Sequence, residues 1–251
     1  MSLRIIRRLL PDWGTTYGPP GDGPFPALLL LHGSEGGPSG WMHRIAMLFA
    51  AHGYLAYPHT YSIGGNSWNA GSIIDVPLDR TVQALDALRA FPFSGPRLGL
   101  YGVSRGAEHA LLVSTLMAQN GLAPVDAIAV HSPPDVICQG FNSATWRDKG
   151  DPGWQSPDPG KRAWTWQGSS DALLPTTPIA VETIPAPIFI SHGTADRVWS
   201  VEMTRRLEQR LRAAGKAPQV HYFDGQDHML NSASENDLHE KLLAFFERTL
   251  A

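Results

Sequence analysis

One stretch of this chain constrains its fold more than any other, because it predicts a strand, a sharp turn and a helix in direct succession. The stretch reads Leu98-Gly99-Leu100-Tyr101-Gly102-Val103-Ser104-Arg105-Gly106-Ala107. It contains a Gly-x-Ser-x-Gly motif, and an apolar helical periodicity follows to about Gln119. A serine placed between a strand and a helix in this way sits at the tip of a tight turn, exposed above the carboxyl end of a sheet. We therefore predict that Ser104 is a nucleophile.

Apolar strands alternate with amphipathic helices from residue 27 onward, after a possible edge strand at 3–9. The predicted strands are 27–31, 54–57, one beginning at Leu98, 126–131, 188–192 and 220–223. The predicted helices are 41–52, 76–91, the helix that follows Ser104, 203–214 and 238–250. This alternation predicts an α/β fold with a mostly parallel central sheet and helices on both faces.

Residues 132–187 interrupt the alternation. This segment is rich in Pro, Gly, Trp and Ser and has no clear period. A long segment without periodicity inside a compact domain is usually functional. We interpret residues 1–251 as a single domain in which 132–187 is a lid or pocket wall, inserted after the sixth strand. Four tryptophans fall in it, and we expect Trp164 and Trp166, more than Trp146 and Trp154, to contact the substrate.

Composition excludes several functional classes. The chain has 251 residues, a net charge of −3 and only 17% charged residues, and no basic run that would bind a nucleic acid backbone. No apolar segment reaches the roughly 18 residues of a membrane span, and the apolar N-terminal stretch is too short for a signal peptide. A cytoplasmic location is therefore expected. The single cysteine, Cys138, and the absence of metal-ligand motifs predict no disulfide, metal or cofactor.

Polar residues that follow predicted strands define the candidate catalytic residues, because ligands bind at the carboxyl ends of strands in open α/β sheets. Ser104 needs a base, and the base needs an orienting carboxylate. Asp196 and His228 each follow a predicted strand, and the chain order Ser, Asp, His is that of α/β-hydrolases. We predict that His228 is the general base and Asp196 its partner. Asp227 is the alternative carboxylate.

The loop after the 27–31 strand is the candidate oxyanion hole. It contains His32-Gly33-Ser34-Glu35-Gly36-Gly37. Two backbone N–H groups are needed to bind an oxyanion, and we predict those of Arg105 and Ser34, with the N–H of Glu35 as the alternative to that of Ser34. We also expect Glu35 and His131 to line the substrate site. A phosphate-binding loop is the alternative, but no Gly-Lys-Ser/Thr sequence is present.

Several stretches also resemble the BAAT C-terminal domain family, which contains acyl-CoA thioester hydrolases and bile acid-CoA:amino acid N-acyltransferase. The similar stretches are Tyr101 to Glu108, Gly21 to Ala27, Ala163 to Gly168, Pro178 to Glu182 and Asp196 to Ser200. The resemblance implies an α/β-hydrolase fold with Ser104, Asp196 and His228 as the catalytic triad. His32 opens the glycine-rich loop as in many esterases and dienelactone hydrolase-like proteins.

The leading hypothesis is a serine hydrolase that cleaves small-molecule thioesters, acyl-CoA in particular, through an acyl-enzyme. Arg105, Arg147, Lys149, Lys161 and Arg162 would supply a basic mouth for the CoA phosphates if residues 132–187 fold over the site. The alternative is that these are solvated charges on loops. The alternatives are a carboxylesterase of small uncharged esters, an acyltransferase, and a non-catalytic binding module on a hydrolase scaffold.

Overall fold

An eight-stranded sheet forms the centre of the computed structural model, which describes residues 4–63, 71–142, 152, 158 and 160–250. Its strands are β1 (Ile6–Leu10), β2 (Gly14–Gly18), β3 (Phe25–Leu31), β4 (Leu55–His59), β5 (Ser94–Val103), β6 (Ala127–His131), β7 (Ile188–Gly193) and β8 (Gln219–Phe223). Their order across the sheet is β1-β2-β4-β3-β5-β6-β7-β8. β2 is antiparallel to both neighbours, and all other adjacent pairs are parallel. The predicted mostly parallel sheet is confirmed.

Helices cover both faces of this sheet, as predicted. They are α1 (Trp41–Ala51), α2 (Asp79–Arg89), α3 (Arg105–Gln119), α4 (Val201–Ala213) and α5 (Ser232–Leu250). α1 and α5 pack on one face, and α2, α3 and α4 pack on the other. Within the described part of the chain, no helix combines the length and the apolar character needed to cross a membrane.

The centre of the sheet is apolar on both sides, which explains the continuous apolar sequence of β3. Leu28 and Leu30 point into the core beneath α1 and α5, whereas Leu29 and Leu31 point into the core beneath α2 and α3. All four side chains are fully buried. Burial on both faces is typical of parallel strands covered by two layers of helices. Because β3, β5, β6 and β7 are neighbouring parallel strands, their carboxyl ends lie at the same edge of the sheet.

The described parts of 132–187 pack against the α2 and α3 side of the molecule. Phe141–Asn142 pairs with Ser72–Ile73, and Trp164–Thr165 pairs with Val76–Pro77. A 3₁₀-helix spans Val181–Thr183 and contacts α3 and α4. These parts thus belong to the main core. Trp146 and Trp154 lie outside the described residues.

Buried histidines are a second feature of the core, and they make its stability depend on pH. Burial lowers the pKa of His32 to about 4 and those of His59 and His131 to about 3. Each is nearly inaccessible to solvent. An unfolded histidine titrates near 6.5, so between about pH 6.5 and 4 the unfolded chain binds protons that the folded chain does not.

We therefore expect the free energy of unfolding to fall as the pH drops below about 6.5, by up to about 1.4 kcal/mol per pH unit for each buried histidine. Urea unfolding at a series of pH values measures this slope. His59→Gln should reduce the slope, and the surface variant His52→Gln should not. A His59→Gln slope equal to that of the wild type would contradict the account.

Candidate active site

The turn between β5 and α3 holds Ser104 in a strained conformation. Ser104 has φ 55° and ψ −119°, a region that residues with a side chain rarely occupy. Its N–H donates to the His131 carbonyl at 2.9 Å. A Cβ on Gly102 would lie 2.1 Å from the Gly106 carbonyl oxygen, and one on Gly106 would lie 2.2 Å from the Leu31 oxygen. Both glycines are therefore required for the helix to approach the strands this closely.

A continuous hydrogen-bonded chain joins Ser104, His228 and Asp196. His228 Nε2 lies 3.0 Å from Ser104 Oγ, and His228 Nδ1 lies 2.7 Å from Asp196 Oδ2. Ser104 follows β5, Asp196 follows β7, and His228 lies between β8 and α5. The three residues predicted as a triad are thus brought together by the carboxyl ends of three strands. In this arrangement the imidazole can accept the serine proton while its other nitrogen donates to the carboxylate.

The Asp196 carboxylate is buried and fully hydrogen-bonded. Oδ1 accepts the N–H groups of Val198 and Trp199 at 2.8 and 2.9 Å. Oδ2 lies 3.0 Å from His192 Nε2 as well as near His228. Burial opposes ionisation, but the hydrogen bonds from His192 and His228 outweigh it and lower the pKa of Asp196 well below its usual range. The side chain therefore remains an acceptor for the histidine.

His192 is a site residue that the sequence reasoning missed. Its side chain is fully buried, and its Nδ1 lies 2.7 Å from Thr204 Oγ1. It thus links α4 to the same Asp196 oxygen that His228 contacts. The available signal was its position at the end of a strand, four residues before Asp196.

Asp227 has a different role from Asp196. Its Oδ1 accepts the backbone N–H of His228 at 2.8 Å and that of Arg197 at 3.0 Å, and Oδ2 accepts Arg197 Nε at 2.6 Å. The carboxylate therefore joins the two loops that carry Asp196 and His228. It accepts the His228 backbone N–H, whereas Asp196 accepts the ring nitrogen.

The predicted oxyanion loop passes directly beside the nucleophile. A Cβ on Gly33 would lie 3.3 Å from the Ser104 Cβ. His32 anchors the loop, since its ring stacks on Tyr61 at 3.9 Å and its carbonyl accepts the Tyr61 hydroxyl at 2.7 Å. Ser34 follows in this loop and is half-buried. Arg105 is the first residue of α3, where N–H groups have no acceptor within the helix.

Glu35 and His131 lie close to His228. The Glu35 carboxylate accepts the Gly33 N–H at 3.0 Å. Burial raises its pKa, although its hydrogen bonds and the nearby His228 oppose the rise. His131 Nδ1 lies 2.9 Å from Ser191 Oγ, and burial, followed by the charges of His228 and His192, lowers the pKa of His131. Both side chains therefore lie near His228, and their contact with substrate stays a prediction.

The two tryptophans predicted as substrate contacts differ in burial. Trp164 is fully buried, and its indole N–H donates to Glu108 at 2.8 Å. Trp166 is half-buried and packs against the same core. Trp164 thus lies in the core instead of on an open pocket wall, because a buried carboxylate on α3 satisfies its only polar group. Their contact with substrate remains an untested prediction.

Glu108 connects the inserted segment to the helix that starts after Ser104. Arg105 Nη1 donates to one carboxylate oxygen at 2.9 Å, and the N–H groups of Cys138 and Trp164 donate to the other. Arg105 also donates to the Gln139 carbonyl at 2.7 Å. Both charged side chains are buried. Breaking such a pair leaves an uncompensated charge in the interior.

We expect Glu108→Gln to lower the free energy of unfolding by about 3–5 kcal/mol, because the Arg105 guanidinium would lose its counter-charge. Chemical denaturation measures the change. The matched control is Glu182→Gln, which removes the partner of Arg210 in a partly exposed pair and should cost less than about 1 kcal/mol. Equal losses in the two variants would contradict the assigned role of Glu108.

The predicted basic mouth is not assembled by the described residues that were assigned to it. Arg105 is buried against Glu108, and Arg162 donates to the Ser170 carbonyl at 3.1 Å. Lys161 is exposed. Arg147 and Lys149 lie outside the described residues.

Two further features bear on the chemistry of the site, the Cys138 thiol and the question of a metal site in the described ranges. Burial, and next the charge of Glu108, raise the pKa of the Cys138 thiol well above its usual value, which disfavours the reactive thiolate. Across the residues with defined placement, no cluster of three or more His, Cys, Asp or Glu side chains is arranged to hold a metal ion.

A sheet of this order, with a serine at the turn after β5, defines an α/β-hydrolase. The chain belongs to the prolyl oligopeptidase family, whose sequence profile matches residues 79–251. Membership of this family agrees with the class that the motifs predicted, a serine hydrolase.

Individual hydrolases of known sequence or structure also resemble this chain. Acyl-coenzyme A thioesterase 6 of Mus musculus is 29% identical over 236 residues, covering 86% of this chain and 51% of the relative. The chain therefore spans about half the length of that curated relative. A protein from Klebsiella pneumoniae assigned as a dienelactone hydrolase superposes with a TM-score of 0.66 at 16% identity, covering 98% and 99% of the two chains. Esterase 2 of Thermogutta terrifontis superposes with a TM-score of 0.61 at 18% identity, covering 96% and 91%.

Proposed function

We propose that this protein hydrolyses carboxylic esters and thioesters through an acyl-enzyme on Ser104, with His228 as general base and acid and Asp196 as its orienting carboxylate. The observation that carries the proposal is the pair of distances at His228, 3.0 Å to Ser104 Oγ and 2.7 Å to Asp196 Oδ2. Both lie within the range of a hydrogen bond that can transfer a proton.

The reaction would proceed in two steps. Ser104 Oγ attacks the substrate carbonyl carbon while His228 Nε2 takes the hydroxyl proton, and Asp196 stabilises the resulting imidazolium. Collapse of the tetrahedral intermediate breaks the bond to the leaving alcohol or thiol, which receives the proton from Nε2. A water molecule then attacks the acyl-enzyme with the same histidine as base, and the acid product leaves with Ser104 regenerated.

The N–H groups of Arg105 and Ser34 would bind the oxyanion. The start of α3 supports this role, because the first N–H groups of a helix point outward and its dipole favours negative charge there. The buried anchoring of His32 by Tyr61 supports it too, since a preorganised donor costs no rearrangement during the reaction.

Acyl-CoA thioesters are the first candidate substrates, and the similarity to acyl-coenzyme A thioesterase 6 supports them. Simple uncharged esters are the second candidate. The charge arrangement favours this second class, because Arg105 and Arg197 near the site are each paired with a carboxylate, Glu108 and Asp227 respectively. Paired cations attract the phosphates of CoA less strongly than a basic mouth would.

Three butyryl substrates separate these candidates. Butyryl-CoA and S-butyryl-N-acetylcysteamine share the thioester bond, but only the first carries phosphates, and p-nitrophenyl butyrate carries an oxygen ester. An acyl-CoA thioesterase should prefer butyryl-CoA over the cysteamine thioester, with a preference that weakens as salt increases. An esterase should show no such preference.

A proline-containing peptide p-nitroanilide belongs in the same panel, because the family takes its name from peptidases. Hydrolysis of that amide alone would replace the ester proposal with a peptidase. If none of the four compounds were hydrolysed, and an active-site phosphonate probe failed to react, the non-catalytic alternative would be correct.

A further inference from the structure

A pocket lies beside His228, on the face of the sheet that α1 and α5 cover. The pocket is open to solvent on one side. The apolar side chains that line it come from α1, from β5, from the loop after His228 and from α5: Trp41, Ile45, Val103, Met229, Leu230 and Leu238. The pocket therefore lies directly beside the proposed general base, and most of its wall is apolar.

The charged groups at the edge of this pocket are paired. Glu235, which also lines it, forms an ion pair with Arg44, and the Arg44 guanidinium lies 4.2 Å from the ring centroid of Trp41. Burial lowers the pKa of His239 at the same edge, although Glu235 opposes the shift. Because these groups are balanced, the pocket suits an uncharged ligand better than a phosphorylated one.

The chemistry of acyl transfer decides which part of a substrate would occupy this pocket. The leaving atom must come within hydrogen-bond reach of His228 Nε2, since that nitrogen returns the proton. The carbonyl oxygen must instead point toward the N–H donors at Arg105 and Ser34. Space beside His228 is therefore available to the leaving group.

We infer that this pocket, defined by Trp41, Met229 and Leu238 beside His228, binds the leaving group of the substrate and selects uncharged apolar alcohols or thiols. This inference rests on the proposed function, because it uses His228 as the general acid. It makes the alcohol side of the ester, in addition to the acyl side, a determinant of specificity.

Two ester series test the inference. One holds butyrate constant and varies the alcohol from methyl to hexyl, and the other holds the methyl alcohol constant and varies the acyl chain from acetyl to octanoyl. The variants are Trp41→Ala and Met229→Ala. Met47→Ala is the matched control, since Met47 is an exposed methionine on the same helix as Trp41 and does not line the pocket. Thermal melting checks that each variant is folded.

We expect both variants to reduce the kcat/KM ratio of hexyl to methyl butyrate about 5–20-fold, which corresponds to the loss of apolar contact for one or two methylenes. The ratio of octanoyl to acetyl methyl ester should remain unchanged, and Met47→Ala should alter neither ratio. Using ratios removes any general effect on the nearby His228.

Two results would overturn the inference. A change confined to the acyl series would make the pocket an acyl site, and no change in either series would place it outside the substrate site. Failure of the proposed function would differ, because the wild-type protein would then hydrolyse neither series. An inactive wild type would overturn both.

Discussion

Replacing Ser104 with alanine is expected to reduce turnover about 10⁶-fold on any good ester or thioester substrate, the loss seen when such a nucleophile is removed. The substitution removes Oγ, whose hydroxyl donates to His228 Nε2. It keeps the backbone bonds of the turn, in which the Ser104 N–H donates to His131 and the Ser104 carbonyl accepts from Ala107 at 2.9 Å. The fold should therefore survive, as a circular dichroism melt would verify alongside steady-state kinetics.

Ser114→Ala is the matched control for that experiment. Ser114 lies on α3, the helix that follows Ser104, and its hydroxyl donates to the Ala110 carbonyl at 2.8 Å. Turnover of this variant should equal that of the wild type. If Ser104→Ala retained more than about a tenth of wild-type turnover, the nucleophile would have to lie elsewhere.

Replacing Asp196 with asparagine should lower kcat about 10⁴-fold, because the imidazole can then adopt the wrong tautomer. The surroundings of Asp196 make the change severe. Oδ1 accepts hydrogen bonds from two backbone N–H groups, and Oδ2 contacts a ring nitrogen of His228 and one of His192. An asparagine offers one oxygen, so one of these two sides would face an N–H₂ donor.

Asp227→Asn is the control for this prediction, since it alters a neighbouring carboxylate on the same loop as His228. That carboxylate is partly exposed and accepts the backbone of His228 and Arg197. Its loss should loosen the loop while leaving the His228 tautomer unchanged, so its effect should be much milder. A larger loss from Asp227→Asn than from Asp196→Asn in the same assay would reverse the assignment.

The positions of the candidate catalytic residues could be predicted because strand ends are visible in sequence. Continuous apolar runs mark β3, β5, β6 and β7, and the carboxyl ends of parallel strands share one edge of the sheet. Ser104 and Asp196 follow two of these runs directly. His228 comes between them because of the order of the strands in the sheet, whereas the α/β alternation predicts only that the sheet is mostly parallel.

Local capping explains where the predicted element boundaries differ from the structure. The last helix was predicted from residue 238, where apolar periodicity begins, but α5 begins at Ser232. Asn231 caps it, with Oδ1 accepting the Ser234 N–H at 2.9 Å, so the first turn is polar and carries no periodicity.

The sequence analysis did not predict β2. Its sequence, Gly-Thr-Thr-Tyr-Gly, has little apolar pattern, and the strand depends on pairing with β1 and β4.

The roles of Trp164 and His192 could not be predicted for a different reason. Trp164 is buried because Glu108, far away in sequence, accepts its indole N–H. His192 contacts Asp196 through the turn after β7 and is held by Thr204 on α4. A partner distant in sequence leaves no periodic pattern, so only the folded arrangement distinguishes a buried tryptophan from one that lines a pocket.

Covalent trapping tests the central claim most directly. The protein is incubated with a fluorophosphonate, digested, and analysed by peptide mass mapping. The account predicts one phosphonyl adduct on Ser104 in the wild-type protein, slower formation of that adduct in Asp196→Asn, and none in Ser104→Ala. An adduct on Ser34, on Cys138 or on any other residue, or the absence of any adduct on a folded wild-type protein, would contradict it.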